Sequence, residues 1–419
     1  MSVLRNVVPE SSKDAFIRDS IAGASTGVYT GIIGTFMLYV ARKDLHSSEF
    51  LLGLICAAPF IGATLTLFYA HAMDGRPKMP FMIWPNVIGR SLFIATAFVN
   101  SAVPFSLLAT TSQMLGGLSG PCYAAIMKEV YPDRKRGTLM AIIRVGATIM
   151  IFISQLFGGK LMHALGYTKL FPIAALFGIT GILVFGTVKT APVDPNDPAN
   201  QRAPIGEFLK DTLNIMVHDK ENRLFLTAIS IGAVGNLIVL PAYTICQVDK
   251  LHITESQIAI IGAISTCFWA LSYPLWGRIV DRRSPLTAWA ISTLLYAALP
   301  ISYFFATAWW HIIIGQAIAG ASLGGMELGF FNGIIHFTRE GKEMHHQALH
   351  SFAQGVRGVA LPFCGAGLVA LCSRTRIDLN YIFLLSAVFL AAGCFMLLAQ
   401  DRRAQKDLAR STVANESSE

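Results

Sequence analysis

The sequence predicts an all-α membrane protein of twelve transmembrane helices, arranged as two parallel six-helix repeats. Three observations carry this expectation. Of its 419 residues, 53% are hydrophobic and only 14% charged, against roughly 25% charged in a soluble domain. The apolar residues gather into runs of about 20, the length a helix needs to cross a bilayer. Finally, the charged stretch Trp276-Gly277-Arg278-Ile279-Val280-Asp281-Arg282-Arg283, set between two such runs, has a fainter copy in Tyr69-Ala70-His71-Ala72-Met73-Asp74-Gly75-Arg76-Pro77-Lys78.

The first six spans are expected at roughly 20–41, 49–71, 81–100, 104–126, 138–163 and 168–189, the second six at roughly 223–246, 254–276, 286–306, 309–335, 348–372 and 379–400. This divides the chain into a first half, 1–190, a linker, 191–222, a second half, 223–400, and a tail, 401–419. Residues 1–19 are polar and mixed in charge, and do not read as a cleavable leader. The linker opens with Pro192, Pro195, Pro198 and Pro204, which break helices. Ile205, Phe208, Leu209, Leu213 and Met216 then recur at helical spacing, as in an amphipathic helix on a membrane surface or a soluble linker helix.

The net charge of +8 sits in the loops, which points to topology rather than to nucleic acid. With both termini cytoplasmic, about 23 Lys and Arg fall on that side and seven on the other, a strong positive-inside bias. Compact loops and short tails point to a multi-pass protein of the bacterial plasma membrane. The seven cysteines lie within or at the ends of apolar runs, with no CxxC pair, and read as small apolar fillers.

The two halves align in one direction. Asp44-Leu45-His46-Ser47-Ser48-Glu49 matches Lys250-Leu251-His252-Ile253-Thr254-Glu255, Trp84 matches Trp289, and Gln113 with Gly117 and Ser119 matches Gln316 with Gly320 and Ser322. Parallel repeats of this kind place a solute path between the halves, near the bilayer midplane.

With these features the chain resembles the major facilitator superfamily of secondary transporters. The resemblance covers roughly residues 20–400 and rests on the twelve spans, the long central loop, the Gly-x-x-x-Asp-Arg-Arg stretch at Gly277–Arg283 with its copy, and the Pro132 to Gly137 turn after span four. It implies a substrate site between spans one, four, seven and ten, and a cytoplasmic gate at Asp74, Arg76 and Lys78 and at Gly277, Asp281, Arg282 and Arg283. Gly277 would permit close helix approach, and Asp281 would cap a helix or pair across the interface. The chain departs from the family pattern at Ala70, Gly75 and Gln113, and it lacks the Gly-Pro that drug/proton antiporters carry before Gly158-Gly159. Other coupling modes therefore stay open.

Charges inside spans cost roughly 2.5 kcal/mol or more at the membrane centre, so they are candidates for function. Four stand out: Arg90 in span three, Arg144 in span five, Glu327 in span ten and Arg357 in span eleven. Arg144 and Arg357 look like repeat counterparts, and Glu327 is within reach of either. These groups would bind an anionic or zwitterionic substrate, carry a coupling proton on Glu327, or form a structural ion pair. Gln113 and Gln316 are candidates for hydrogen bonds to substrate. Expected partners are a small-molecule substrate, the lipid bilayer and protons, with the chain a monomer. No metal, cofactor, nucleotide-binding loop or catalytic pair is expected, so the chain does not read as an enzyme. A membrane receptor or assembly scaffold that binds ligand without moving it is the alternative reading.

Overall fold

A computed structural model describes residues 8–73, 76–190, 206, 218–337 and 343–416, and every long element among them is an α-helix. The first half contains α1 (Lys13–Lys43), α2 (Glu49–Met73), α3 (Lys78–Ala95), α4 (Ala102–Gly117), α5 (Gly120–Val130), α6 (Asp133–Leu165) and α7 (Tyr167–Phe185). The second half contains α8 (Lys220–Ile238), α9 (Leu240–Ile245), α10 (Glu255–Arg282), α11 (Pro285–Tyr296), α12 (Ala298–Phe304), α13 (His311–Phe337), α14 (Glu343–Thr375) and α15 (Asn380–Glu416). Eleven helices or helix pairs among the described residues are long and apolar enough to cross a membrane.

The remaining span, the fourth, is present in two pieces. Gly117, Gly120 and Pro121 interrupt it, so α4 stops at Gly117 and α5 restarts with Pro121 in its first turn. Proline is favoured there, because the first amides of a helix have no acceptor within it. Other boundaries also follow local chemistry. At α10, Thr254 and Gln257 form a capping box: Gln257 N donates to Thr254 Oγ1 at 3.4 Å and Thr254 N to Gln257 Oε1 at 2.9 Å. At α11, Ser284 Oγ accepts from Thr287 N at 3.0 Å, and the buried Asp401 accepts from both hydroxyls at 2.7 Å. The last helix does not stop at Gln400, where the apolar run ends, but continues to Glu416.

The repeat reaches into the backbone. His46 and His252, matched by sequence alone, both take left-handed conformations, with φ of 51° and 47°.

The halves meet along two helix pairs, α2 with α14 and α6 with α10. Glycine makes both crossings close: a Cβ at Gly358 would lie 2.1 Å from Phe60 Cγ, and one at Gly159 would lie 2.8 Å from Ser256 Cα. Near the loops that carry His46 and His252, the halves are also joined by charge. Arg42 donates to Asp249 at 3.0 Å, Lys43 Nζ to Glu255 Oε1 at 2.7 Å, and Tyr39 Oη to the Ile253 carbonyl at 2.7 Å. We call this the latched face and the opposite one, where the basic loops lie, the basic face.

Candidate functional site

Between α6 and α10 the packing changes along the helices. Toward the latched face, Gln155 bridges the halves, donating to Thr35 Oγ1 at 3.2 Å and accepting from Thr266 Oγ1 at 2.9 Å. Toward the basic face the same two helices line a cavity of about 600 Å³ that includes Arg144, Thr148, Trp269 and Tyr273. A second cavity, about 480 Å³, lies mainly within the second half and is lined by Trp269, Trp289, Thr293, Glu327, Phe330 and Arg357, among others. Trp269 is common to both.

Glu327 joins the two cavities. Arg144 Nη1 donates to Glu327 Oε1 at 3.0 Å, and Tyr273 Oη donates to Oε2. The pair crosses from one half to the other. It is also asymmetric, because the Arg144 side chain is 70% exposed and that of Glu327 only 28%. Of the two partners expected for Glu327, the structure therefore selects Arg144. Tyr273 is a third member whose role the sequence does not announce, since an aromatic side chain in a span is usually packing.

Arg357 is placed differently. Its Nη1 donates to Ser230 Oγ at 3.1 Å, its Nε is buried without an acceptor, and it reaches no carboxylate among the described residues. Thr293, on α11, is part of the same wall, with its hydroxyl oxygen enclosed and unpaired behind it.

Arg90 points into the first half, donating to the Gly178 carbonyl, to Thr26 Oγ1 at 3.3 Å and to Asn86 Oδ1 at 3.4 Å, with its guanidinium 5.1 Å from the centre of the Tyr29 ring. Gln113 lines a small cavity of about 260 Å³ beside it. Gln316 is half-buried, does not line the second-half cavity and makes no side-chain hydrogen bond among the described residues.

The gate residues require corrections. Residues 276–282 form the last turns of α10 rather than a turn between helices. A Cβ at Gly277 would meet nothing within 4 Å, so this glycine is not needed for close approach. Ser284, not Asp281, caps the next helix. Asp281, Arg282 and Arg283 are exposed and make no ion pair among the described residues. Arg76 is exposed and Lys78 half-buried in the first turn of α3, while Asp74 and the expected amphipathic segment at 205–216, save Gly206, lie outside the described residues.

One charged residue escaped the sequence reading. Helix α1 begins seven residues before its expected span, which carries Asp19 into the bundle at 3% exposure. Tyr123 donates to Asp19 Oδ2 at 3.2 Å and Tyr131 at 3.1 Å. Burial, and next the carboxylate beside it, pushes the Tyr131 hydroxyl well above the usual phenol range, so it stays a donor.

Comparison with known proteins now places the chain. The family model of the Major Facilitator Superfamily matches residues 20–245 and again 224–417. The chain belongs to the major facilitator superfamily. Curated relatives within the superfamily include the multidrug resistance protein MdtG of Dickeya zeae (strain Ech586), 23% identical over 72% of this chain and 74% of the relative. The multidrug resistance protein MdtL of Escherichia coli O157:H7 is 25% identical over 51% of this chain, and the match spans about half, 53%, of that relative. The purine ribonucleoside efflux pump NepI of Escherichia coli O127:H6 (strain E2348/69 / EPEC) is 24% identical over 40% of this chain and 42% of the relative.

Solved superfamily structures share the fold. The nucleoside transporter NupG superposes with a TM-score of 0.70 at 13% identity, over 94% of this chain and 99% of that one. A bacterial homolog of the human lysosomal transporter Spinster, in an inward-facing and unoccupied conformation, gives 0.66 at 14% identity, over 96% and 99%. The chain is thus a multi-pass membrane protein from a family of transporters, with a helical bundle in two related halves.

Proposed function

We propose that the protein is a secondary active transporter that carries a small organic solute by alternating access, with Arg144, Glu327 and Tyr273 as the element that ties the solute path to the motion of the halves. One observation carries this reading: an ion pair in mid-span joins one half to the other beside two cavities, while the latched face is shut by further pairs between the halves. Relative rocking of the halves makes or breaks such a pair, so whatever neutralises Glu327 biases the conformation. Glu327 is in this reading the carrier of a coupling proton, and the arginines make an anionic or zwitterionic solute the favoured cargo. The relatives' names add drugs and purine ribonucleosides as candidate cargo.

The positive-inside bias supports cytoplasmic termini, and the bacterial relatives support the bacterial plasma membrane. The basic face is then cytoplasmic, and the conformation described opens inward. Asp281, Arg282, Arg283, Arg76 and Lys78 find partners only when that face closes. Solute counterflow in proteoliposomes tests the core of this reading. Wild-type protein is expected to exchange a labelled solute from a panel of nucleosides, drugs and aromatic acids, and Glu327→Gln to slow net transport driven by an imposed pH gradient by roughly tenfold or more and flatten its pH dependence. Transport indifferent to Glu327→Gln at every pH removes the coupling role.

A further inference from the structure

The cavity of the second half carries a charge that its own walls do not cancel. Glu327 and Arg357 are the only ionisable side chains among its lining residues, and Glu327 is already bonded to Arg144. In their ordinary ionised forms the three groups sum to one positive charge. Arg357 reaches no carboxylate among the described residues, and its buried Nε lacks an acceptor. Thr293, another residue of the wall, has its hydroxyl oxygen enclosed and unpaired behind it. An unmatched charge at membrane depth costs roughly 2.5 kcal/mol or more, and each orphaned buried polar atom about 1–3 kcal/mol, so both deficits point to a partner that is negatively charged and accepts hydrogen bonds.

The rest of the wall sets the partner's body. Trp269 and Phe330 provide apolar surface, with Trp289 packed behind Phe330, and the volume of about 480 Å³ suits a small organic molecule rather than an inorganic ion. We propose that this cavity binds a small organic monoanion, its carboxylate or equivalent group on the Arg357 guanidinium and its flat apolar body against Trp269 and Phe330. A single negative charge brings the Arg144–Glu327–Arg357 set to neutrality. A neutral compound leaves the charge deficit standing, and a cation deepens it. The proposal rests on the transporter reading for its biological meaning, but binding is measurable without transport.

Equilibrium dialysis of the purified full-length chain against naphthalene-2-carboxylate, naphthalene-2-carboxamide and 2-naphthylmethylammonium tests it. The carboxylate is expected to bind about ten- to a hundredfold more tightly than the amide, the worth of one charge-assisted hydrogen bond. The preference should vanish in Arg357→Gln and survive, weakened, in Arg357→Lys, with gel filtration reporting whether each variant is folded. Should Arg357→Gln not fold, the charge series on the wild type and on Arg357→Lys still decides. Equal affinity for carboxylate and amide, no binding of the carboxylate, or a preference that survives Arg357→Gln overturns the proposal. Counterflow separates the two readings: selective binding of the carboxylate without its exchange in proteoliposomes overturns transport and leaves the site intact. Exchange of a neutral solute such as uridine, with no preference for anions, overturns the monoanion and leaves transport intact.

Discussion

Arg90 in the first half and Arg357 in the second both sit at membrane depth without a carboxylate among the described residues, yet their surroundings differ. Around Arg90, the Gly178 carbonyl, Thr26 and Asn86 accept its protons and Tyr29 lies against its face. Around Arg357 there is one hydroxyl, a buried nitrogen without an acceptor, and a cavity. A buried arginine whose donors are met by its own bundle braces that bundle, and one left short of acceptors is available to a ligand. The halves share an ancestry visible in their backbone, but the first meets its arginine's donors from within and the second leaves one of them unmet.

The widest contrast is expected at the repeat-matched tryptophans. Trp289 is 6% exposed between Phe225 and Phe330, whereas Trp84 is 62% exposed. Trp289→Ala should lower the stability of the detergent-purified protein by about 3–5 kcal/mol, and Trp84→Ala by no more than about 0.5 kcal/mol, as read from thermal unfolding. The arginines come next. Arg90→Ala removes the donor to two side-chain acceptors, Thr26 and Asn86, and to the Gly178 carbonyl, and should cost about 2–4 kcal/mol, while Arg357→Ala should cost less than about 1 kcal/mol, its effect appearing in ligand binding instead. Equal losses at the two sites would erase the distinction between brace and binding group. Asp19→Asn, which keeps an acceptor for Tyr123 and Tyr131 but loses the charge on it, should cost about 1 kcal/mol.

Much of this was legible in the sequence. The spans follow from run length alone, and the register between the halves predicted the paired loops at His46 and His252. Glu327 and Arg144 stood out because charges are rare in spans. What stayed hidden depended on distant neighbours or on helix ends. Asp19 looks like a residue of the polar N-terminus, since nothing in the sequence says that α1 starts at Lys13 or that tyrosines from the end of the fourth span and just past it reach back to it. Arg42 and Lys43 read as loop charges, because their partners Asp249 and Glu255 are about 200 positions away. The break in the fourth span had a signal in Gly117-Leu118-Ser119-Gly120-Pro121, but a window of mean hydropathy passes over it. The charged stretch at Trp276 marks a span's end by its charge, whereas the helix itself runs on to Arg282.

The bonds that shut the latched face also have a direction. Both bases, Arg42 and Lys43, come from the first half and both acids, Asp249 and Glu255, from the second. In the repeat register Lys43 corresponds to Asp249 and Glu49 to Glu255. Two copies of the second half, set about the same axis, would bring Asp249 against Glu255, acid against acid. The closure is therefore heterotypic: it belongs to the fused pair as a unit, and a symmetric assembly of the second half alone lacks the means to form it.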